Sequence, residues 1–172
     1  MNPWTIRPAE ESDVAAITRI YNHYSLHTVI SFDDSPQSEA QKLAQMRGIL
    51  AHGEYLIAEM QGKLIGYAYA KPWIDRPAYA HSFESTIYLD AERSVERCRG
   101  LGAALYQALI DKLAARGDVH VLIANLTLGN RPSEALHEKL GFRKIAEFPE
   151  VGFKFGRWLS IQYYAYYFPK PL

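Results

Sequence analysis

A basic, glycine-spaced turn is the part of the sequence whose residue types and spacing best fit a chemical task, the binding of phosphate. Residues 97–105 read Arg-Cys-Arg-Gly-Leu-Gly-Ala-Ala-Leu. Gly100 and Gly102 lack a Cβ, so the backbone can approach a ligand closely. The first amides of the following helix have no intrahelical partner, and the helix dipole favours an anion there. The spacing predicts a phosphate-binding turn, although glycines at this spacing also occur as plain loop punctuation.

The residues around this turn argue against two common nucleotide sites. A β-branched and aromatic segment, residues 83–89, precedes it and predicts a strand. The turn has no Gly-Lys-Ser/Thr ending, which argues against a P-loop. Leu105 stands where the dinucleotide-binding fingerprint needs its third glycine, which argues against a Rossmann site.

The elements that must position the turn follow from hydrophobic periodicity. Leu101, Leu105, Leu109 and Leu113 recur every four residues and indicate a helix from about 99 to 115. Ser12 is a plausible cap for the first helix. The other helices are predicted at 10–24, 39–51 and 132–140, and the strands at 5–7, 55–59, 63–71, 83–89, 120–126, 143–148 and 158–168. This order predicts an α/β fold in which a mixed sheet carries helices on both faces.

Composition limits the classes of protein to which the chain can belong. The 172 residues include 19 Lys and Arg against 19 Asp and Glu, so the formal net charge is zero. We therefore expect no nucleic-acid partner and no membrane partner. The single cysteine, Cys98, cannot form an internal disulfide, and no segment resembles a signal peptide or a transmembrane span. These features predict a cytoplasmic protein.

Several motifs together resemble the GCN5-related N-acetyltransferases, the GNAT superfamily. The resemblance begins with Arg97-x-x-Gly100-x-Gly102 after a strand and continues with Asn130, Ser133 and residues 136–142. More narrowly, the phosphinothricin and methionine-sulfoximine acetyltransferases are similar in the segments 21–24, 31–32, 72–73, 84–88, 136–138 and 152–158. The resemblance covers essentially the whole chain. It implies one GNAT domain over residues 1–172, a splayed and mostly antiparallel sheet, and a homodimer.

The resemblance also implies acetyl-CoA as the acyl donor, with no metal. Its pantetheine arm would pair with the strand end formed by Ile87, Tyr88 and Leu89, and backbone amides would polarise the thioester carbonyl. Asn130 is expected to offer its side-chain amide to the arm, or only to cap its helix. The remaining cofactor contacts are expected at the phosphate turn and one position downstream: Arg97, Arg99, Gly100, Leu101, Gly102, Ala103, Ala104 and Ser133. The loop before Gly100 is longer than is usual in this family, and Cys98 is interpreted as an inert thiol.

Two side chains are predicted to be catalytic. Glu84 lies in an otherwise apolar and hydroxylated strand just before the cofactor-pairing residues, where a carboxylate can act as a general base. The alternative is a strand carboxylate that faces water or an arginine. His137 lies one helical turn after Ser133, and the resemblance implies a general acid toward the leaving thiolate. The alternative is a surface histidine.

An anionic amino acid acceptor requires a cation and an apolar wall. The loop of residues 72–79 offers both, because Arg76 can bind a carboxylate or phosphinate with two hydrogen bonds. A surface arginine is the alternative. The predicted acceptor contacts are Phe32, Trp73, Arg76, Tyr79, Ser85, Thr86 and Lys154.

The resemblance and these residues together imply direct acetyl transfer to the α-amino group of a small toxic amino acid, of the glutamate or methionine type. Two alternatives remain open from the sequence. One is acetylation of another amine, such as a polyamine, an aminoglycoside or a protein N-terminus. The other is an acyl-CoA-binding module without catalytic activity.

Overall fold

The computed structural model describes residues 3–93 and 95–169; residues 1–2, 94 and 170–172 of the predicted domain lie outside the described part. One seven-stranded sheet has the strand order β1-β2-β3-β4-β5-β7-β6. The strands are β1 (Thr5–Pro8), β2 (Glu54–Met60), β3 (Lys63–Pro72), β4 (Ser82–Leu89), β5 (Val121–Thr127), β6 (Arg143–Lys154) and β7 (Arg157–Tyr167). The helices are α1 (Val14–His27), α2 (Glu39–His52), α3 (Leu101–Arg116) and α4 (Arg131–Lys139), with 3-10 turns at Glu11–Asp13 and Pro77–Tyr79.

The sheet is mixed and mostly antiparallel, as predicted. Only β4 and β5 pair in parallel, because α3 carries the chain across the sheet between them. Alternating residues of β2 separate two cores: Leu56 and Ala58 pack on the α3 side, whereas Tyr55 and Ile57 pack on the side of α1 and α2. Helices therefore cover both faces of the sheet.

The leucine stripe of α3 is confirmed. Leu101, Leu105, Leu109 and Leu113 are all fully buried against the sheet. The helix ends at Gly117, whose φ of 73° is left-handed and so favours glycine. This packing fixes the orientation of α3, and with it the direction in which the phosphate turn faces.

The predicted bounds of two elements, α1 and β6, were wrong. Ser12 lies in a 3-10 turn rather than at a cap; the side chain of Asp13 accepts a hydrogen bond from the Glu10 amide at 2.8 Å, and α1 runs to His27 instead of Tyr24. The strand predicted at 143–148 extends to Lys154, and a two-residue turn joins it directly to β7. Strand β6 is an exposed edge strand, so it lacks the apolar run that marks a buried strand.

Candidate active site

The sheet opens between its two parallel strands. Strand β4 pairs with β5 only from Ser82 to Ser85, although β4 continues to Leu89 and β5 to Thr127. The end of β4 therefore has an edge that β5 does not cover. A cleft of about 390 Å³ fills the gap, and its wall includes Ile87, Tyr88, Leu89, Asn125, Asn130, Ser133 and His137. An extended ligand can pair with this edge as an additional strand would.

The phosphate turn lies just beyond the end of β4. Gly100 has a φ of 83°, and its carbonyl accepts the first i to i−4 bond of α3, from the Ala104 amide at 3.0 Å. The Leu101 amide already donates to the Cys98 carbonyl at 3.0 Å. The amides of Gly102 and Ala103 come before Ala104, whose amide makes the first i to i−4 bond of α3. Amides in this first turn are the ones that a helix presents to an anion.

Gly102 lies within van der Waals reach of two leucine side chains. A Cβ at this position would meet Leu89 Cδ1 at 3.4 Å and Leu136 Cδ2 at 3.6 Å, so β4 and α4 both approach the turn. Arg97 and Arg99 are exposed beside it. Cys98 is 5% exposed and packs in the core cluster, which accords with a thiol inaccessible to substrates.

The loop that leads to the turn is anchored at its start by Asp90, a buried carboxylate. Arg19 donates to Asp90 Oδ2 at 2.7 Å, and the Glu92 amide donates to Oδ1 at 3.0 Å. Burial alone would raise the pKa of Asp90, but these bonds hold the pKa below its ordinary value. Asp90 therefore stays charged and fixes the loop to α1.

Asn130 lies in the cleft wall but does not cap α4 with its side chain. Its backbone carbonyl accepts hydrogen bonds from the amides of Ser133 at 3.0 Å and Glu134 at 2.9 Å. The predicted side-chain cap is therefore wrong, because the backbone performs that role. The side-chain amide consequently remains available to the cleft.

Glu84 lies in the wall of a second cavity, of about 530 Å³, on the side of the sheet that carries α1 and α2. Its partner across the β3–β4 pair is Lys71, whose Nζ is 3.7 Å from Glu84 Oε2. The cavity and the cleft share Ser85, Thr86, Tyr88 and Asn125 in their walls. Glu84 therefore stands close to the junction at which a donor in the cleft and an acceptor in the cavity would meet.

His137 belongs to a buried chain of hydrogen bonds on the other face of β4. Its Nδ1 lies 2.7 Å from the Ser133 carbonyl oxygen, its Nε2 lies 3.1 Å from the Tyr106 hydroxyl, and that hydroxyl lies 2.6 Å from Ser85 Oγ. A carbonyl only accepts, so Nδ1 carries the ring proton and Nε2 accepts from Tyr106. His137 is 3% exposed, so the predicted surface alternative is wrong.

This arrangement disfavours the acid role predicted for His137. Donation from Nε2 would require a second proton on the ring. Burial lowers the pKa of His137, and so favours the neutral ring that the hydrogen bonds already imply. The geometry instead indicates that His137 holds the Tyr106 hydroxyl in the cleft wall.

Phe32, Ser85 and Thr86 lie in the wall of the 530 Å³ cavity beside Glu84, hereafter the acceptor cavity, and their contact with an acceptor stays a prediction. The ring of Phe32 packs on Gly152, where a Cβ would lie 2.2 Å from Cε2. Lys154 lies beneath this wall instead of in it. Its buried Nζ donates to the carbonyl oxygens of Ser25, Ser31 and Asp33, each at 2.6 Å. Ser25 belongs to α1, whereas Ser31 and Asp33 flank Phe32, so the three N–H groups tie the loop that carries Phe32 to the end of α1.

The loop after β3 does not contribute to this wall. Trp73 and Tyr79 form an edge-to-face pair with ring centroids 5.4 Å apart, and the Tyr79 amide donates to the Arg76 carbonyl. Among the described residues, the wall does not include Trp73, Arg76 or Tyr79. Their contact with an acceptor stays a prediction, whereas the wall does contain the cation Lys71.

Sequence reasoning missed several residues of the site, among them Lys71 and Tyr106. Tyr106 could have been found, because it follows Leu105 on the buried face of α3 and a buried tyrosine needs a partner for its hydroxyl. Lys71 gave no such signal. Its position opposite Glu84 depends on the register across the loop of residues 73–81, which periodicity does not fix.

Comparison with known proteins agrees with this geometry. The acetyltransferase (GNAT) domain family matches residues 6–161, so the chain belongs to the GNAT family and is an N-acetyltransferase. Acetyl-CoA is the acyl donor of this family. The chain is 36% identical to a phosphinothricin N-acetyltransferase of Streptomyces coelicolor, over 92% of this chain and 93% of the relative. It is 37% identical to an L-methionine sulfoximine/L-methionine sulfone acetyltransferase of Salmonella typhimurium, over 92% and 91%.

Solved structures give the same result. An acetyltransferase from Salmonella typhimurium with its cofactor acetyl-CoA superposes with a TM-score of 0.90 at 34% identity, over 96% of this chain and 94% of that one. A phosphinothricin acetyltransferase from Sinorhizobium meliloti in complex with acetyl-CoA gives 0.89 at 34% identity, over 96% and 88%. The predicted GNAT fold is thereby confirmed.

Residues 3–93 and 95–169 contain no helix that is long and apolar enough to cross a bilayer. Within the same residues, no group of three or more His, Cys, Asp or Glu side chains is placed to hold a metal ion.

Proposed function

We propose that this acetyltransferase transfers an acetyl group to the α-amino group of a small amino acid. The observation that supports this most strongly is the gap between β4 and β5, with Glu84 in the wall of the adjoining cavity. The names of the relatives from Streptomyces coelicolor and Salmonella typhimurium, which specify phosphinothricin and methionine sulfoximine or sulfone, support an amino acid as the acceptor.

Acetyl-CoA supplies the acetyl group as an activated thioester. The amides of Gly102 and Ala103, with Arg97 and Arg99 beside them, would hold its pyrophosphate. The free edge formed by Ile87, Tyr88 and Leu89 would pair with its pantetheine arm, and the side chains of Asn130 and Ser133 line the same cleft. The cleft fits this group because its polar edge is backbone and its wall is mostly apolar.

Glu84 is the proposed general base. It accepts the proton that the acceptor ammonium must lose before its nitrogen can attack, either directly or through one water molecule. Its side chain is 25% exposed, so it is reachable from the cavity and still shielded from bulk water. Proton removal at this position leaves a neutral amine beside the junction of cavity and cleft. Its nitrogen would bond to the acetyl carbon while the thioester C–S bond breaks, and the departing CoA thiolate would take up the second proton that the nitrogen loses.

His137 and Tyr106 are proposed to shape the opposite wall. His137 fixes the direction of the Tyr106 hydroxyl, and Tyr106 in turn fixes Ser85 on β4. A rigid wall here holds the donor in one position relative to Glu84.

A homodimer is also proposed. Six large apolar side chains on the hairpin of β6 and β7 are 47–61% exposed: Ile145, Phe148, Val151, Phe153, Phe155 and Trp158. Such a patch on an edge strand is typical of an interface. Val151 also lies in the acceptor cavity wall, so the interface would adjoin the site. Size-exclusion chromatography with light scattering tests this, with Trp158→Glu as the variant expected to dissociate.

We further propose that the enzyme acts in the cytoplasm and confers resistance to toxic amino acids. Its single cysteine and zero net charge support a reducing compartment and a small-molecule acceptor rather than a nucleic acid or a membrane. Growth of an expressing strain on methionine sulfoximine, beside a strain expressing Glu84→Gln, tests the resistance.

The direct test measures release of CoA thiol from acetyl-CoA with methionine sulfone, methionine sulfoximine, phosphinothricin, spermidine and a peptide with a free N-terminus. We expect saturable turnover confined to the amino acids, and a loss of kcat on the order of a hundredfold in Glu84→Gln. The exposed carboxylate Glu147, changed to Gln, is the matched control and should retain activity. Turnover only with spermidine or peptide would overturn the acceptor class, and binding of acetyl-CoA without turnover on any amine would overturn the activity.

A further inference from the structure

The wall of the acceptor cavity contains more carboxylates than cations. Among the described residues of its wall, Lys71 is the one cation, whereas Glu84 and Asp33 are carboxylates. Lys42 and Lys154 are not wall residues, although each interacts electrostatically with Asp33. Lys42 Nζ lies 3.2 Å from the Tyr21 ring centroid and donates to Gln45 Oε1 at 2.9 Å. Counted over the described wall residues alone, the carboxylates outnumber the cations by one.

Lys71 and Glu84 form a pair that matches the polar end of an α-amino acid. The two groups are 3.7 Å apart, and both are only half-buried. The nitrogen and the carboxylate oxygens of an α-amino acid are about 3 Å apart, because both groups are attached to one carbon. A carboxylate bound to Lys71 therefore places the amine on the side of Glu84, the proposed base.

Asp33, another residue of the wall, is held in place by hydrogen bonds. The Tyr21 hydroxyl and Gln37 Nε2 both donate to its Oδ2, the latter at 3.0 Å, and Lys154 holds its backbone carbonyl. With Lys71 occupied by the acceptor carboxylate, the wall has no second described cation for another anionic group. An anionic acceptor side chain would instead face the carboxylates of Asp33 and Glu84.

We propose that the cavity selects α-amino acids with uncharged side chains, with Lys71 as the residue that binds the acceptor carboxylate and Asp33 as the residue that disfavours anionic side chains. This inference rests on the proposed function and specifies its acceptor. It assigns the carboxylate to Lys71 on β3 rather than to Arg76 in the following loop. Methionine sulfone fits this class, whereas phosphinothricin carries an additional phosphinate charge.

The role of Lys71 is tested with methionine sulfone and with the same molecule lacking its carboxylate, 3-(methylsulfonyl)propylamine. We expect Lys71→Met to raise KM for methionine sulfone about tenfold, the loss typical of one charge-assisted hydrogen bond. The amine without a carboxylate should show no comparable rise, and Lys71→Arg should restore most of the affinity for methionine sulfone. Any effect of Lys71 on Glu84 changes the turnover of both substrates by the same factor. The ratio of their kcat/KM values therefore reports carboxylate binding alone. An unchanged ratio in Lys71→Met would overturn the assignment.

The role of Asp33 is tested by the ratio of kcat/KM for phosphinothricin to that for methionine sulfone. Asp33→Asn keeps an acceptor for the Tyr21 hydroxyl and removes the charge, so we expect the ratio to rise about fivefold. The adjacent Asp34→Asn, a change outside the cavity wall, should leave it unaltered. Two results would contradict this selection: a preference of the unmodified enzyme for phosphinothricin, or an unaltered ratio in Asp33→Asn. Either result would leave the acetylation of amino acids itself in place. Failure to acetylate any amino acid would instead overturn the proposed function.

Discussion

The Tyr106 hydroxyl lies 3.1 Å from Nε2 of His137, and this contact joins α3, which begins at the phosphate turn, to α4 on the far side of the cleft. Both residues are buried, and the rings meet edge to face with centroids 5.0 Å apart. The same hydroxyl reaches Ser85 on β4. One tyrosine thus connects three elements that surround the cleft.

The neutral state of His137 predicts a pH dependence of stability. Burial lowers its pKa below the ordinary 6.5 in the folded protein, so the unfolded chain takes up the proton first as the pH falls. The free energy of unfolding should therefore decrease just below pH 6.5, by up to about 1.4 kcal/mol per pH unit for this one proton. Urea unfolding of the wild type and His137→Gln at pH 7.5 and pH 5.5 measures this.

We expect the loss of stability between these two pH values to be smaller in His137→Gln. His23→Gln, a change at an exposed histidine, is the matched control. An equal loss of stability in wild type and His137→Gln would show that His137 is not held neutral. It would also reopen its role as a general acid.

The two glycines of the phosphate turn should respond differently to alanine. Gly100 has a φ of 83°, so Gly100→Ala places a side chain in the left-handed region and should cost about 1 kcal/mol. A Cβ at Gly102 meets only the ends of two leucine side chains, at 3.4 and 3.6 Å, so Gly102→Ala should fold with unchanged or higher stability. Thermal unfolding compares the stability of the two variants, and calorimetric titration with acetyl-CoA compares their affinity for the cofactor. Equal losses of stability would contradict the backbone argument.

The sequence predicted the large features of this fold because each depends on local pattern. The leucine stripe of α3 and the glycine stop at Gly117 are both confirmed, as is the order of elements. What escaped prediction depends on long-range register. Lys71 meets Glu84 only because β3 and β4 pair across an irregular loop, and Lys154 reaches α1 across more than 120 positions. Neither contact joins residues that are close together in the sequence, so local pattern could not predict them.

Lys154 should control the acceptor side of the site without touching the donor side. Lys154→Met removes the Nζ donor from three carbonyl oxygens, of which that of Asp33 also accepts from Ser25 Oγ, and we expect it to lower the free energy of unfolding by about 3 kcal/mol. The loop that carries Phe32 would then move, raising KM for the amino acid while the affinity for acetyl-CoA stays unchanged. Lys144→Met, an exposed lysine on the same strand, is the matched control. A parallel loss of acetyl-CoA affinity would indicate general unfolding rather than loss of loop position.

Asp90 should have the complementary effect, because it fixes the loop that enters the phosphate turn. It is 1% exposed, and its pKa is held below the ordinary 3.8 despite burial by the hydrogen bonds from Arg19 and the Glu92 amide. A lowered pKa means that its contribution to stability is complete above pH 3.8 and is lost as the pH falls through the folded-state pKa.

Asp90→Asn should lower the free energy of unfolding by about 2 kcal/mol at pH 7, and no more than that because Arg19 keeps access to solvent. It should also weaken acetyl-CoA binding more than binding of the amino acid. If calorimetry gave unchanged acetyl-CoA affinity in the folded variant, the turn would be held by α3 alone, and the buried ion pair would serve only the stability of the fold.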